Sequence, residues 1–543
     1  MKKNKQKIKF GMVELRFMIM AKIRQHWQLL SFLALSLVVR LVNLKNVLFF
    51  TWDNGRDFFA IQKIAQGDII LLGPTTGLQG WFLGPFWYYL GLPGYWLSGG
   101  NPYLFLSFYI AVTLLALPLF WYLGHLLFKK NKVAAVMTAL LLSLTPGSIW
   151  GTLRVWNPQI GILLVTCFYL SLIKARKSKL FLGVAGLSLG LLLQSQFAYG
   201  IFFLIFFPFL IKWARGKFNL KDQIIGFFPL ALTLIPQALF EVKNKFLMSK
   251  ALLASMTVEN DKLPWAVHLK DRFLQLLHAT QNITIRGRTP ALPVFLILLG
   301  VVLWMIYMLF FKIKVLEKAK IENLFAWRLM AVLATIPYPF YLFWRGNSGY
   351  FFDYYITAHF VLLVPLFALA IFSLPKIFSK RQAFFRASGW AFLGMIFLYS
   401  YQFMYGTTLL PVNNAGLRAM DSAVEQLYVW IADDKQEVGV IRVFTPNRET
   451  EHYDTIIHWR AKELGREIPL TVQNGDEDYW YVLIEPDRQL KKRLRDWYGK
   501  VTAGGVCIRR TYSGDLKVET FIRESVYNEN PHDYKTCDAK KTF

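Results

Sequence analysis

The feature that most limits the fold is a succession of apolar runs, each roughly the 17 to 25 residues that a membrane-spanning helix needs, separated by short loops rich in Lys and Arg. Runs at 28–48, 103–128, 133–150, 158–173, 180–195, 200–212, 223–240, 291–311, 326–344, 354–374 and 388–404 predict about eleven transmembrane helices. No soluble core needs so many segments of bilayer length. The expected fold class is an all-α polytopic membrane protein carrying a small C-terminal α/β domain.

Charge then orients the chain. A net charge of +28 invites a nucleic-acid partner, but the excess is confined to one part of the chain. After residue 404 there are 20 Lys/Arg against 22 Asp/Glu, so the tail is nearly neutral and the apolar part carries the basic surplus. That surplus sits in the loops 129–132, 174–179, 212–217, 312–320 and 376–381. With a cytoplasmic N-terminus all five fall on the cytoplasmic face, as the positive-inside bias requires, and nucleic acid drops out as a partner.

This count requires the stretch 84–100, which is short and interrupted by Pro93 and several glycines, to be interfacial or re-entrant. Segments 49–102, 151–157, 241–290, 345–353 and 405–543 then share the extracytoplasmic side, and Arg40 and Lys45 lie near the outer end of the first span. The expected organisation is a basic cytoplasmic segment 1–27, a membrane domain 28–404 with its first outer loop at 49–102, and an extracytoplasmic domain 405–543, all in a plasma membrane.

Alternation in the tail predicts helices near 417–433, 451–465 and 488–499 and strands near 437–444, 478–486, 506–512 and 516–522. No Gly-rich phosphate loop or nucleophile elbow occurs there, so its expected role is structural or acceptor docking. The three cysteines have no metal-ligand spacing. Cys507 and Cys537 share the tail, where an oxidising compartment leaves a disulfide between them open.

Chemistry concentrates in Thr51–Tyr89, a polar stretch punctuated by Gly and Pro. It holds Asp53, Asp57 and Asp68, three of only twelve acidic residues before position 405. A carboxylate held at a bilayer needs a partner or a task. Asp53 precedes a helix-like stretch 54–66 and can be its N-cap. With Asp57 four residues on, and Arg56 between them, it can equally belong to a site that deprotonates an acceptor hydroxyl and holds a phosphate. The spacing is not a metal-binding D-x-D, and no divalent ion or other cofactor is inferred.

Further along, Arg154 and Trp156-Asn157-Pro158 read as a helix-breaking turn or as polar substrate contacts, and Gln194 and Gln196 emerge on the same side. Arg345, Asp353, Tyr354, Tyr355 and His359 form an interfacial belt or contact a donor phosphate. The aromatic row Trp81, Trp87, Tyr88, Tyr89 and Trp96 is expected to seat the loop at headgroup level.

The order of these features resembles the C-type superfamily of membrane glycosyltransferases, in particular protein O-mannosyltransferases and lipid A aminoarabinose transferases. The resemblance rests on an acidic residue just after the first span (Asp53 in WDNGRD), a short helix, Gly67-Asp68, and Gly84-Pro85-Phe86-Trp87-Tyr88-Tyr89. It covers about the first 200 residues well and the later helices in layout only. That last motif stands where the family has Lys-Pro-Pro-Leu-Tyr-Tyr, so the lysine and first proline are missing. Asn157 replaces the Asp of a Leu-Asp-Pro motif.

The resemblance implies an inverting transfer of sugar from a polyprenyl-phosphate donor to a lipid, glycan or protein acceptor on the extracytoplasmic face, with Asp53 as catalytic base. Arg56, Asp57, Arg154, Asn157, Gln196, Arg345 and Tyr354 are the expected substrate contacts. Two other readings stay open. A polyprenyl-lipid or small-solute transporter would need ionisable residues along a path through the helices, where acidic ones are few, and internal repeats, which are absent. A lipid-linked glycan polymerase or ligase would share the donor.

Overall fold

A computed structural model of the chain describes residues 26–537 except 79, 258–262, 287–290, 347–349, 448, 473–476, 488–490, 530, 532 and 533. The expected cytoplasmic segment 1–27 lies almost wholly outside the described residues.

Each of the eleven apolar runs is helical, but fewer are long and apolar enough to cross a bilayer. Six helices meet that requirement among the described residues: Pro102–Leu127, Asn157–Lys174, Phe197–Arg215, Leu220–Lys243, Ala291–Phe311 and Asp353–Ile377. A seventh counts if Lys132–Leu144 and Pro146–Leu153, bent by 49°, form one span. The shortfall from eleven has local causes. His26–Leu41 and Leu180–Ser195 are shorter apolar helices, and the run 326–344 divides into Leu324–Thr335 and Pro337–Phe343 at a proline that cannot donate to the ladder. The segment 241–290, expected as a loop, contains two helices, Leu247–Thr257 and Trp265–Thr284. Phe86–Ser98 is a helix of 13 residues, too short to span.

The 49° bend follows from Pro146, because Thr145 before it is extended (ψ 150) and ends the helix. Arg40 answers the polar groups at this break. It is buried, and donates to the Ser143 carbonyl at 2.6 Å, Ser148 Oγ at 3.0 Å and Thr152 Oγ1 at 2.7 Å. Arg40, one residue from the end of the His26–Leu41 helix, is thus an interior staple at the end of the run where it was expected.

The tail elements form where alternation placed them, plus one short strand it missed. The strands are β1 Val440–Phe444, β2 Leu470–Thr471, β3 Tyr479–Ile484, β4 Gly505–Ser513 and β5 Leu516–Arg523, in sheet order β2-β1-β3-β5-β4. β1 is parallel to β2 and β3, while β5 is antiparallel to β3 and β4. Ile441, Val443, Tyr481 and Leu483 on one face join the hydrophobic core shared with the apolar helices. Val440, Phe444, Trp480 and Val482 on the other face close a smaller core. The period-2 side-chain geometry of a strand accounts for that division. Cys507 and Cys537 form a disulfide.

The sheet unit is fastened to residues 46–103. Asn413 N donates to Asn46 O at 2.8 Å, Leu417 N to Leu48 O at 3.0 Å, and Tyr103 Oη to Asp421 Oδ2 at 3.0 Å. The Glu451–Leu464 helix packs on Trp52–Ala65. Their contact centres on Gly55, where a Cβ would collide with the backbone of Glu451 and His452.

Candidate active site

The helix that carries the acidic cluster begins at Trp52, two residues earlier than an Asp53 cap would place it. Thr51 is the N-cap, in a reciprocal capping box with Asn54. Asp53 therefore does not cap the helix; it stands in the first turn, free for another role. The side chain of Asn54 also donates to Val155 O at 2.8 Å, which ties the helix start to the 151–157 turn.

Asp53, Arg56 and Asp57 share one helix face, as i, i+3 and i+4 spacing requires. Arg56 bridges both carboxylates, with Nη1 2.9 Å from Asp53 Oδ1 and Nη2 2.6 Å from Asp57 Oδ1. It also reaches Thr75 Oγ1 at 3.3 Å and lies over the Trp52 ring. The two aspartates then diverge. Asp57 is 2% exposed, and its second oxygen accepts from Trp87 Nε1 at 2.8 Å. Burial pushes its carboxyl up to about 6, with Arg56 pulling the other way. Asp53 opens on a cavity, and burial raises its carboxyl against the opposing pull of Arg56 and Arg154.

That cavity, about 490 Å³, is walled by Trp52, Trp81, Trp156, Trp344, Tyr354 and Tyr355, with Asn157, Ser195 and Gln196 among its polar lining. Asp53 is the one charged side chain among its described lining residues. A hairpin over residues 73–83 contributes its tip, closed by Gly73 N to Leu83 O at 2.8 Å and Leu83 N to Pro74 O at 3.0 Å.

Of the expected contacts, Asn157, Gln196 and Tyr354 come together with Asp53 in the cavity lining. Asn157 Nδ2 donates to Ser195 O at 2.7 Å, and Gln196 Nε2 donates to the Tyr354 carbonyl. Arg154 stacks over Trp156 near Asp53, its guanidinium basicity lowered by burial. Asp57 is turned away from the cavity toward Trp87. Arg345 is not brought to it either: it lies over Trp265 and donates to Leu263 O.

The aromatic row of the first loop also divides. Trp96 is exposed, whereas Trp87 is buried and stacked on Tyr109 at 4.2 Å, so Trp87 supports the site instead of the membrane interface. Gln194 has a backbone task, with Oε1 accepting from Phe86 N at 3.0 Å. Gly84 is required beside it, since a Cβ there would overlap the Gln194 side chain. Trp156 stands in the expected Trp156-Asn157-Pro158 contact and Trp52 beside Asp53 in its motif, whereas Trp344 carries no signal in the sequence. Among the described residues no group of three or more His, Cys, Asp or Glu is placed to hold a metal ion.

No known protein family and no curated protein sequence matches the chain. Among solved structures, ArnT from Cupriavidus metallidurans in the apo state aligns over 92% of this chain and 98% of its own, with 14% identity and a TM-score of 0.53. The chain has the fold of ArnT. The ArnT structure bound to undecaprenyl phosphate matches equally, at 15% identity, TM-score 0.53, and coverage of 91% and 98%. An apo oligosaccharyltransferase from Archaeoglobus fulgidus is a looser likeness, with a TM-score of 0.47, 14% identity, and coverage of 89% and 73%. The expected resemblance is thus found at the level of an ArnT-like fold. At this identity the likeness concerns backbone layout, and residue roles rest on the geometry above.

Proposed function

We propose that the chain is an inverting glycosyltransferase that moves a sugar from a polyprenyl-phosphate carrier to a lipid, glycan or protein acceptor on the extracytoplasmic face of a plasma membrane. The observation that carries this reading is Asp53, the one carboxylate among the described lining residues of an aromatic-walled cavity within an ArnT-like fold. The donor class is supported by the ArnT structure that holds undecaprenyl phosphate. The orientation, with a cytoplasmic N-terminus and an outer C-terminal domain, is supported by the five basic loops.

In this reading Asp53 accepts the proton of the acceptor hydroxyl as its oxygen attacks the anomeric carbon opposite the phosphate. The bond from that carbon to the phosphate oxygen breaks, and the polyprenyl phosphate leaves with the electron pair. A phosphate already leaves readily, so no general acid is required. A carboxylate with a raised pKa is the better base. Arg56 is committed to both aspartates and positions Asp53, which leaves Arg154 as the cation to balance the phosphate. The tryptophan faces suit sugar rings, and Gln196 Oε1, buried and without a hydrogen-bond partner, is an acceptor for a substrate hydroxyl. Asp57 and Arg345 act at one remove from the substrate.

The test is transfer of labelled sugar from a panel of polyprenyl-phosphate sugars in membranes holding the native chain or Asp53→Asn at equal abundance. We expect one donor to be consumed and the variant to lose about 10²- to 10⁴-fold in turnover, the usual range for a general base. Equal turnover by both proteins would remove Asp53 from the base role, and no turnover of any donor would remove the transferase reading.

A further inference from the structure

A second polar site lies at the opposite end of the helices. The span Asp353–Ile377 starts beside Asp53, with Tyr354 in the cavity wall, and carries Lys376 in its last turn. At 1.5 Å per residue its length is roughly 37 Å, the thickness of a bilayer core and part of its headgroups. Around Lys376 two cavities adjoin, one of about 560 Å³ and one of about 220 Å³, sharing Asn131, Phe372 and Lys376 in their walls.

Their chemistry is cationic and one-sided. Lys130 and Lys320 line the larger cavity with Lys376, and Arg386 lines the smaller. Glu322 is the one acid in either described lining, and its carboxylate accepts the backbone N–H of Lys130 at 2.9 Å. Asn131 caps the Lys132–Leu144 helix, accepting from Ala134 N at 3.1 Å, so that helix's positive end opens on both cavities.

A second observation is independent of charge. Trp327, fully buried, forms part of the larger cavity's wall, and its indole N–H has no hydrogen-bond partner. A buried donor left unmade costs about 1–3 kcal/mol, and a bound acceptor would remove that cost. The positive-inside bias explains basic loops; it does not explain an orphan donor at a cavity between helices. The smaller cavity continues along Ile371, Trp390 and Leu393, an apolar wall suited to an acyl chain.

We propose that these cavities bind the phosphodiester headgroup of an anionic phospholipid, its chain lying along Ile371 and Leu393, on the membrane face opposite Asp53. The site stands apart from the proposed transfer activity. Basic pockets between helices at this depth are the usual form of headgroup sites.

The test uses the purified full-length chain, stripped of lipid in detergent and offered phosphatidylglycerol or phosphatidylcholine, with retained lipid counted by native mass spectrometry. The native chain is expected to retain phosphatidylglycerol selectively, and Lys320→Gln/Lys376→Gln to retain roughly tenfold less. Replacing both lysines by Arg is expected to restore retention, and millimolar inorganic phosphate is expected not to displace the lipid. Should the double variant fail to fold, Arg386→Gln, on an exposed residue, is expected to lower retention about fivefold. Unchanged retention in the neutralised variants, equal retention of phosphatidylcholine, or displacement by inorganic phosphate would each overturn the proposal.

Discussion

The two faces of the Trp52–Ala65 helix differ in every property that matters to a site. One face presents Asp53, held by Arg56, to an open aromatic cavity. The other is closed by the Glu451–Leu464 helix, pressed so tightly at Gly55 that no side chain fits, with Phe59 edge-on to His458 behind it. Within the cluster the same division recurs, since Asp53 lines the cavity while Asp57 is sealed under Trp87. Asp53, the proposed base, is held by neighbours on its own face and from behind. Preorganisation of this kind is what sites need, because small misplacements of a reacting group are costly.

The sharpest way to break that contrast is at Gly55. Gly55→Ala is expected to force the two helices apart, costing up to about 3 kcal/mol of stability and lowering turnover far more than donor affinity. A melting curve beside a kcat and KM measurement checks this, and a variant with unaltered kcat would show that the rear contact does not position Asp53.

Next in size is Trp87→Phe, which keeps the stacking on Tyr109 but removes a hydrogen bond to a buried carboxylate, worth about 2 kcal/mol. It also shifts a titration. Burial lifts Asp57 from the ordinary 3.8 to about 6, so the folded chain binds that proton more tightly than the unfolded chain. Its contribution to stability is therefore full below pH 3.8 and lost as pH rises through about 6. The Trp87 hydrogen bond favours the ionised form, so Trp87→Phe should move that midpoint upward, readable as melting temperature against pH. Asp53, also raised, must be unprotonated to act as base, and turnover should fall on acidification at a pH above the ordinary aspartate value.

The smallest effect expected is at the seam. Tyr103→Phe deletes the hydrogen bond to Asp421, which keeps its ion pair with Arg460 at 2.6 Å, and should cost about 1 kcal/mol with little change in turnover. A large loss of turnover would mean that the seam as a whole, and not Gly55, sets the helix position.

What the sequence made legible follows from the range of each signal. Apolar length and period-2 alternation are local, and they located the eleven helical runs and every tail strand except β2, whose two residues, Leu470 and Thr471, carry no pattern. Spacing on one helix also placed Asp53, Arg56 and Asp57 together. The helix start was misjudged because Thr51-x-x-Asn54 outcompetes Asp53 as a cap. The cavity walls, drawn from Trp52, Trp81, Trp156 and Trp344, lie far apart in the chain, and no local period joins them. The contact of Gly55 with His452 spans about 400 residues and left no trace in spacing.

That separation has a consequence in time. A ribosome adding about 5–20 residues per second finishes the Trp52–Ala65 helix roughly 20–80 s before residues 451–452 exist to brace it. During synthesis the acidic cluster thus forms without its backing, and residues made long after it complete its surroundings.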